Sequence, residues 1–117
     1  MQLGLIGLGR MGANMARRLI GGGHDVVAWD RSAAALQSVT ADGVTPSGSL
    51  EELVRQLRSP RAVWVMVPAG DPTEQTVAAL GAALQADDVV IDGGNTHYKD
   101  DVRRTRMLSP AGIQYID

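Results

Sequence analysis

Gly7, Gly9 and Gly12 stand in the run Gly7-Leu8-Gly9-Arg10-Met11-Gly12, and Asp30 follows 18 residues after the last of them. Glycines at this spacing suit the binding of a diphosphate. Gly7 allows a tight turn, Gly9 lets a phosphate approach the backbone, and Gly12 lets a helix pack close to a sheet. Free N–H groups at the start of that helix face the phosphates, aided by the helix dipole. Arg10 and Met11 lie in the same turn, and Arg10 can approach a phosphate. A carboxylate at Asp30 can accept hydrogen bonds from both hydroxyls of an adenosine ribose, which favours NAD. A 2′-phosphate there meets like charge, a repulsion of about 4 kcal/mol for unit charges ~4 Å apart at an effective dielectric of roughly 20. Arg31 keeps NADP as the alternative, because its guanidinium can pair with a 2′-phosphate or lie over the adenine.

Two more segments carry candidate chemistry. In Val65-Met66-Val67-Pro68-Ala69-Gly70, Pro68 removes a backbone donor and stops a strand ladder. Ala69 and Gly70 keep the surface low where a flat ligand can lie; an ordinary strand-ending turn is the other reading. In Ile91-Asp92-Gly93-Gly94-Asn95-Thr96, two glycines expose the backbone and Asn95 offers a donor and an acceptor together. Such a group can hold a nicotinamide or a substrate hydroxyl, or it can cap a helix or occupy a turn. His24 reads as a turn residue and His97 as an exposed residue at a helix start. With no carboxylate at ligand spacing, the two make a poor metal site, and none is expected. Asp71 and Glu74 suit the dipole of a helix start. Asp87 and Asp88 read as a solvated turn, Arg103, Arg104 and Arg106 as a wet helix face, and Trp29 and Trp64 as core.

These residues need elements to hold them. Apolar strand-like runs recur at Gln2–Ile6, Asp25–Trp29, Ala62–Val67, Asp88–Ile91 and Ile113–Ile116. Most are continuous rather than alternating, as in strands of a parallel sheet buried on both faces. Helical patterns lie between them. Met11, Met15, Ala16, Leu19 and Ile20 form one stripe, stopped by Gly21-Gly22-Gly23. Ser32 caps a weaker helix that fades before Gly43. Ser49 and Glu52 read as a capping box before the stripe Leu50, Leu53, Val54 and Leu57. Thr73 reads as the cap of a helix carrying Val77, Leu80 and Leu84, and a last helix runs from about Tyr98 to Met107. The alternation predicts an α/β, doubly wound sheet.

Composition narrows the function classes. The chain has 117 residues, enough for one domain with a real core, with 44% hydrophobic and 21% charged residues. With two Trp, two Tyr and no Phe, that core rests on aliphatic residues and Met. The formal net charge is −2 with no basic stripe, so nucleic acid is not an expected partner. No cysteine is present, which excludes disulfides and thiolate zinc sites and accords with a reducing cytoplasm. No apolar run has membrane-spanning length, and no signal-peptide pattern opens the chain. The sequence stops at Tyr115-Ile116-Asp117, where a parallel sheet places its functional loops, so a longer protein is expected.

The segments GLGRMGANMARRL, VMVPAG and DGGNTHYKDD, in this order, resemble the N-terminal coenzyme domain of the 6-phosphogluconate dehydrogenase (decarboxylating) family. The resemblance covers essentially the whole chain. The first segment is shared with the wider β-hydroxyacid dehydrogenase superfamily, and the DGGN segment is the selective one. The resemblance implies a Rossmann-type doubly wound, mostly parallel sheet with helices on both faces, here a dinucleotide-binding domain over 1–117. It implies that Gly7, Leu8, Gly9, Arg10, Met11 and Gly12 line a pyrophosphate and that Asp30, Arg31 and Ser32 surround the adenosine ribose. Val67, Pro68 and Ala69 would border the cofactor, and Asn95 would touch both nicotinamide and sugar substrate. Many NADP-using members carry asparagine at the position of Asp30 and lysine at that of Pro68; both departures point to NAD. Thr96 replaces the usual serine and keeps the hydroxyl.

The family's Ser-Gly-Gly loop, its catalytic lysine and glutamate, and its helical domain all follow the strand that ends this chain. The resemblance therefore implies a domain that binds cofactor without turnover and no catalytic residue within these 117. For the whole protein it implies a phosphorylated sugar acid as substrate, no membrane partner and a homo-oligomer. Two rival readings remain: a relative that oxidises another β-hydroxy acid, and a stand-alone dinucleotide-binding module without chemistry.

Overall fold

The computed structural model describes residues 1–68, 70–93 and 98–116, with side chains from 103 onward in the last span. Strands and helices alternate as β1 (Gln2–Ile6), α1 (Arg10–Gly21), β2 (Asp25–Trp29), α2 (Ala33–Thr40), β3 (Thr45–Pro46), α3 (Leu50–Gln56), β4 (Ala62–Val65), α4 (Asp71–Ala83), β5 (Val89–Asp92), α5 (Tyr98–Leu108) and β6 (Gln114–Ile116). A short 3-10 turn at Ser109–Ala111 joins the last two. The strands form one sheet in the order β3-β2-β1-β4-β5-β6. Every pairing is parallel. This is the doubly wound Rossmann arrangement, and its strand order reverses direction between β1 and β4.

Two aliphatic cores sandwich the sheet. On one face α3, α4 and α5 bring Leu53, Val54, Val77, Leu80 and Leu108 onto Ile6, Val63, Val65 and Val90. On the other, α1 and α2 bring Ala16 and Val39 onto Leu5, Val26 and Ala28. Each fully buried Leu or Val contributes about 1.5–3 kcal/mol relative to exposure. Right-handed crossovers put α1 and α2 over the first half of the sheet and the remaining helices on the opposite face. The strands of the second half consequently differ from the sequence expectation. In β4 and β5 burial alternates, with Val63, Val65 and Val90 buried and Trp64 and Ile91 only half-buried. Among the described residues no helix covers that face of β4, β5 and β6, and Ile116 is 48% exposed.

Several local expectations are corrected. β3 has only two residues and no apolar run, so periodicity could not reveal it. β4 stops at Val65 rather than Val67, and β5 begins at Val89 and includes Asp92. Thr73 is not the cap of α4: Gly70 holds that place at φ 90°, while the buried Thr73 hydroxyl donates to the Pro68 carbonyl at 2.8 Å. The capping box is half reciprocal. Ser49 Oγ accepts from the Glu52 N–H at 3.1 Å, but the Glu52 carboxylate accepts from Gly48 N–H rather than from Ser49. Asp88 is no solvated turn residue. Fully buried, it accepts from the backbone N–H groups of Arg61 and Gln85 and pairs with the Arg61 guanidinium at 3.4 Å. Arg104 is likewise fully buried rather than on a wet helix face, because polar groups of α4, β5 and β6 surround it.

Candidate functional site

A cleft of about 1010 Å³ opens along the carboxyl ends of the central strands, at the point where the strand order reverses. Its floor is the turn from β1 to α1, where each glycine has a distinct local reason. Gly7 sits at φ 97°, a backbone region that side chains disfavour, and a Cβ there would come within 2.6 Å of the Met66 carbonyl oxygen. At Gly12 a Cβ would collide with the Gly7 carbonyl, so glycine lets α1 lie against the strand. Gly9 is different. Its φ of −62° is open to any residue, and a Cβ there would meet nothing within 4 Å. No intramolecular contact demands glycine at this position, and it faces the cleft.

The electrostatics of the turn favour an anion. Gly9 caps α1 without any side-chain hydrogen bond, and the first turn of α1 holds no acidic residue. By contrast α3 carries Glu51 and Glu52, and α4 carries Asp71 and Glu74, in their first turns. The leading N–H groups and positive dipole end of α1 are thus left without an acidic neighbour in that turn. Arg10 and Arg31 both line the cleft, are exposed, and have no ion-pair partner among the described residues. The open space at Gly9 and this donor set fit the diphosphate of a dinucleotide.

Asp30 lies at the end of β2 on one side of the cleft. Its Oδ2 accepts from the Leu8 N–H at 2.6 Å and its Oδ1 from the Ser32 N–H at 2.7 Å. The carboxylate is therefore held in place against the glycine turn while keeping lone pairs for further donors. Gly93, at the end of β5, marks the opposite side. Three strand steps separate β2 from β5, which corresponds to about 14 Å at ~4.8 Å per step.

The structure brings together most of the residues singled out from sequence. Gly7, Gly9, Arg10, Met11, Gly12, Asp30, Arg31, Val67 and Pro68 all line the cleft. Leu8 and Ser32 do not. The Leu8 side chain is 4% exposed, its N–H is used by Asp30, and Ser32 instead caps α2 by accepting from the Ala35 N–H. Ala69 and Asn95 lie outside the described residues, as do Thr96 and His97. Sequence reasoning missed a third wall. Ser49, Leu50 and Glu51 at the start of α3, and Pro72, Gln75 and Thr76 on α4, face the same space. The capping box marked where α3 begins but not that the crossover from β3 aims this end at the cleft. Trp29, expected in the core, is half-buried and lines it too.

Among the described residues no three His, Asp or Glu side chains converge as metal ligands, and no helix is long and apolar enough to cross a membrane.

Comparison with known proteins agrees with this geometry. A family model described as the NAD binding domain of 6-phosphogluconate dehydrogenase matches residues 2–117. The chain is 45% identical over 117 residues to an NAD(+)-dependent, decarboxylating 6-phosphogluconate dehydrogenase of Haloferax volcanii, covering 100% of this chain and 38% of that protein. It is 40% identical over 119 residues to the NADP(+)-dependent, decarboxylating enzyme of Bacillus subtilis, covering 98% of this chain and 25% of that one. The 6-phosphogluconate dehydrogenase structure from Plasmodium falciparum superposes with a TM-score of 0.91 at 25% identity, over 98% of this chain and 26% of its own. The chain thus spans well under half the length of these relatives. With the family match running from Gln2 to Asp117 over a parallel Rossmann sheet, the chain belongs to the NAD-binding domain family of the 6-phosphogluconate dehydrogenases.

Proposed function

We propose that these 117 residues are the coenzyme-binding domain of a longer cytoplasmic enzyme, an NAD-preferring 6-phosphogluconate dehydrogenase. It would oxidatively decarboxylate 6-phosphogluconate to ribulose 5-phosphate, act as a homo-oligomer, and take its catalytic acid and base from residues beyond this domain. The observation that carries the cofactor reading is Gly9: a glycine that no backbone strain or internal contact requires, facing a cleft beside the start of α1, whose first turn holds no acidic residue. When bound, the nicotinamide supplies a hydride acceptor. The chain's own part is to hold and orient the dinucleotide. The N–H groups that open α1, with Arg10, hold the diphosphate. Asp30 takes the adenosine ribose, and Val67 and Pro68 border the flat rings toward β5. Asn95, outside the described residues, is proposed to touch nicotinamide and sugar.

Relatives of both cofactor types match this chain, so the preference rests on Asp30. Its carboxylate is fixed by two backbone donors and cannot swing away from a 2′-phosphate without breaking both bonds. Calorimetric titration of the full-length protein should give an NAD affinity at least about tenfold above that for NADP, a difference of ~1.4 kcal/mol. Asp30→Asn should narrow the gap. Tighter binding of NADP by the unaltered protein would defeat the preference. The reaction is tested separately, by NADH absorbance and carbon dioxide release with 6-phosphogluconate; reduction of NAD without carbon dioxide release would replace this reading by that of another β-hydroxy acid dehydrogenase.

A further inference from the structure

A buried polar network ties down the carboxyl end of β5, and the dinucleotide reading makes no use of it. Arg104 of α5 is fully buried. Its Nε donates to Glu74 Oε2 of α4 at 2.9 Å, and its Nη1 lies 3.5 Å from Asp92 Oδ2 at the end of β5. The Tyr115 hydroxyl of β6 donates to that same Asp92 oxygen at 2.7 Å. From the surface, Arg103 reaches the same Glu74 oxygen at 3.0 Å. The side chains of Arg104 and Asp92 are each 1% exposed. Burial works against the guanidinium charge, but hydrogen bonds to Tyr115 and Glu74, and attraction to those groups, outweigh it, and the pKa of Arg104 is raised.

Stability alone is a weak reason for such a cluster. Removing two charges from water costs about as much as their attraction returns, and apolar replacements are often neutral or better. What a directional network provides is a fixed position. The residue it fixes is Asp92, and the next residue, Gly93, lines the cleft. Gly93 is clamped from the other face as well. Its N–H donates to the Val65 carbonyl at 3.0 Å, and a Cβ there would collide with Trp64 Nε1 and Met66 Sδ. The strand end is thus held on one face by Arg104 through Asp92 and on the other by Trp64 and Met66. The start of α4, another wall of the cleft, is held by the same guanidinium through Glu74.

We infer that Arg104 is a positioning residue: through Asp92 and Glu74 it sets the geometry of the end of the cleft farthest from Asp30. Under the proposed function, on which this inference rests, that end receives the nicotinamide half of the cofactor and the sugar acid. The adenosine end stands on other elements and is independent of the network.

The test compares NAD with ADP-ribose, which lacks the nicotinamide, on the full-length protein. In Arg104→Met the affinity for NAD and kcat should each fall by about tenfold to a hundredfold, while the affinity for ADP-ribose stays within roughly twofold. Arg104→Lys should recover part of the loss. Tyr115→Phe, which removes one donor to Asp92 and keeps the ring, should shift NAD in the same direction by a few-fold, and it carries the comparison if Arg104→Met does not fold. Equal weakening of both ligands, or no change in either for a folded variant, overturns the inference. An unaltered protein that binds neither ligand overturns the cofactor reading itself and the inference with it.

Discussion

Gly9 and Gly12 have the same residue type for opposite reasons, and the difference is measurable. A methyl at Gly12 meets the Gly7 carbonyl, so Gly12→Ala should destabilise the fold by about 1–3 kcal/mol as α1 is pushed off the strand. A methyl at Gly9 meets nothing in the chain. Gly9→Ala should lower the stability of the full-length protein by no more than about 1 kcal/mol, the cost of alanine at the cap of α1, and weaken NAD by at least about tenfold, because the methyl would stand where the phosphate is proposed to approach. A Gly9→Ala protein that keeps its affinity for NAD would remove the main support for the diphosphate site. Asp30 also has two roles. It faces the cleft, and it accepts the Leu8 N–H at 2.6 Å, so the residue proposed to discriminate the ribose also pins the glycine turn.

Buried polar residues join the helices and strands at both ends of the sheet. Thr73 ties α4 to the Pro68 carbonyl, and Arg104 joins α4, α5, β5 and β6. At the opposite end Asp88 performs a similar task. It accepts from Arg61 N–H just before β4 and from Gln85 N–H after α4, and its carbonyl accepts from Gln114 N–H of β6. Asp88→Ala leaves the Arg61 side chain and two backbone donors without their carboxylate. Chemical denaturation should show a loss of about 3–5 kcal/mol, the usual result of breaking a buried pair on one side. A loss below ~1 kcal/mol would mean that water satisfies these groups. Arg104 adds no pH dependence near neutrality. With its folded pKa raised, its contribution is fully present below the ordinary arginine value and fades only as pH rises above it.

The molecule as a whole places its cleft at the reversal of strand order, the one place where loops from neighbouring strands diverge and leave a crevice. Its two halves are unequally covered. α1 and α2 cover the first half on one face, whereas Trp64, Ile91 and Ile116 in the second half remain partly or largely exposed on that face. Ligand binding should therefore register locally along the cleft. In hydrogen-exchange measurements on the full-length protein, saturating NAD should slow exchange by about tenfold at Arg10, Met11, Gly12 and Val67, and leave Gly112, across the sheet from the cleft, unchanged. No slowing at Arg10, Met11, Gly12 and Val67 with NAD at saturation would place the ligand away from this cleft.

Much of this was legible in the chain. β1 and β2 fall where their apolar runs predicted, and the glycine turn and Asp30, singled out from sequence, line one cleft, because these features depend on residues close in sequence. What periodicity could not reveal came from contacts between distant segments. β3 is a strand only because Thr45 and Pro46 pair with Val27 and Ala28. Asp88 and Arg104 look like surface charges in sequence, where charge usually means exposure. Folding buries both because Arg61 lies 27 residues before Asp88, and Glu74 lies 30 residues before Arg104, and each supplies an opposite charge. Local sequence thus wrote the glycine turn on the floor of the cleft. Strand order chose the other walls of the cleft, since which helix end looks into it depends on where each crossover lands.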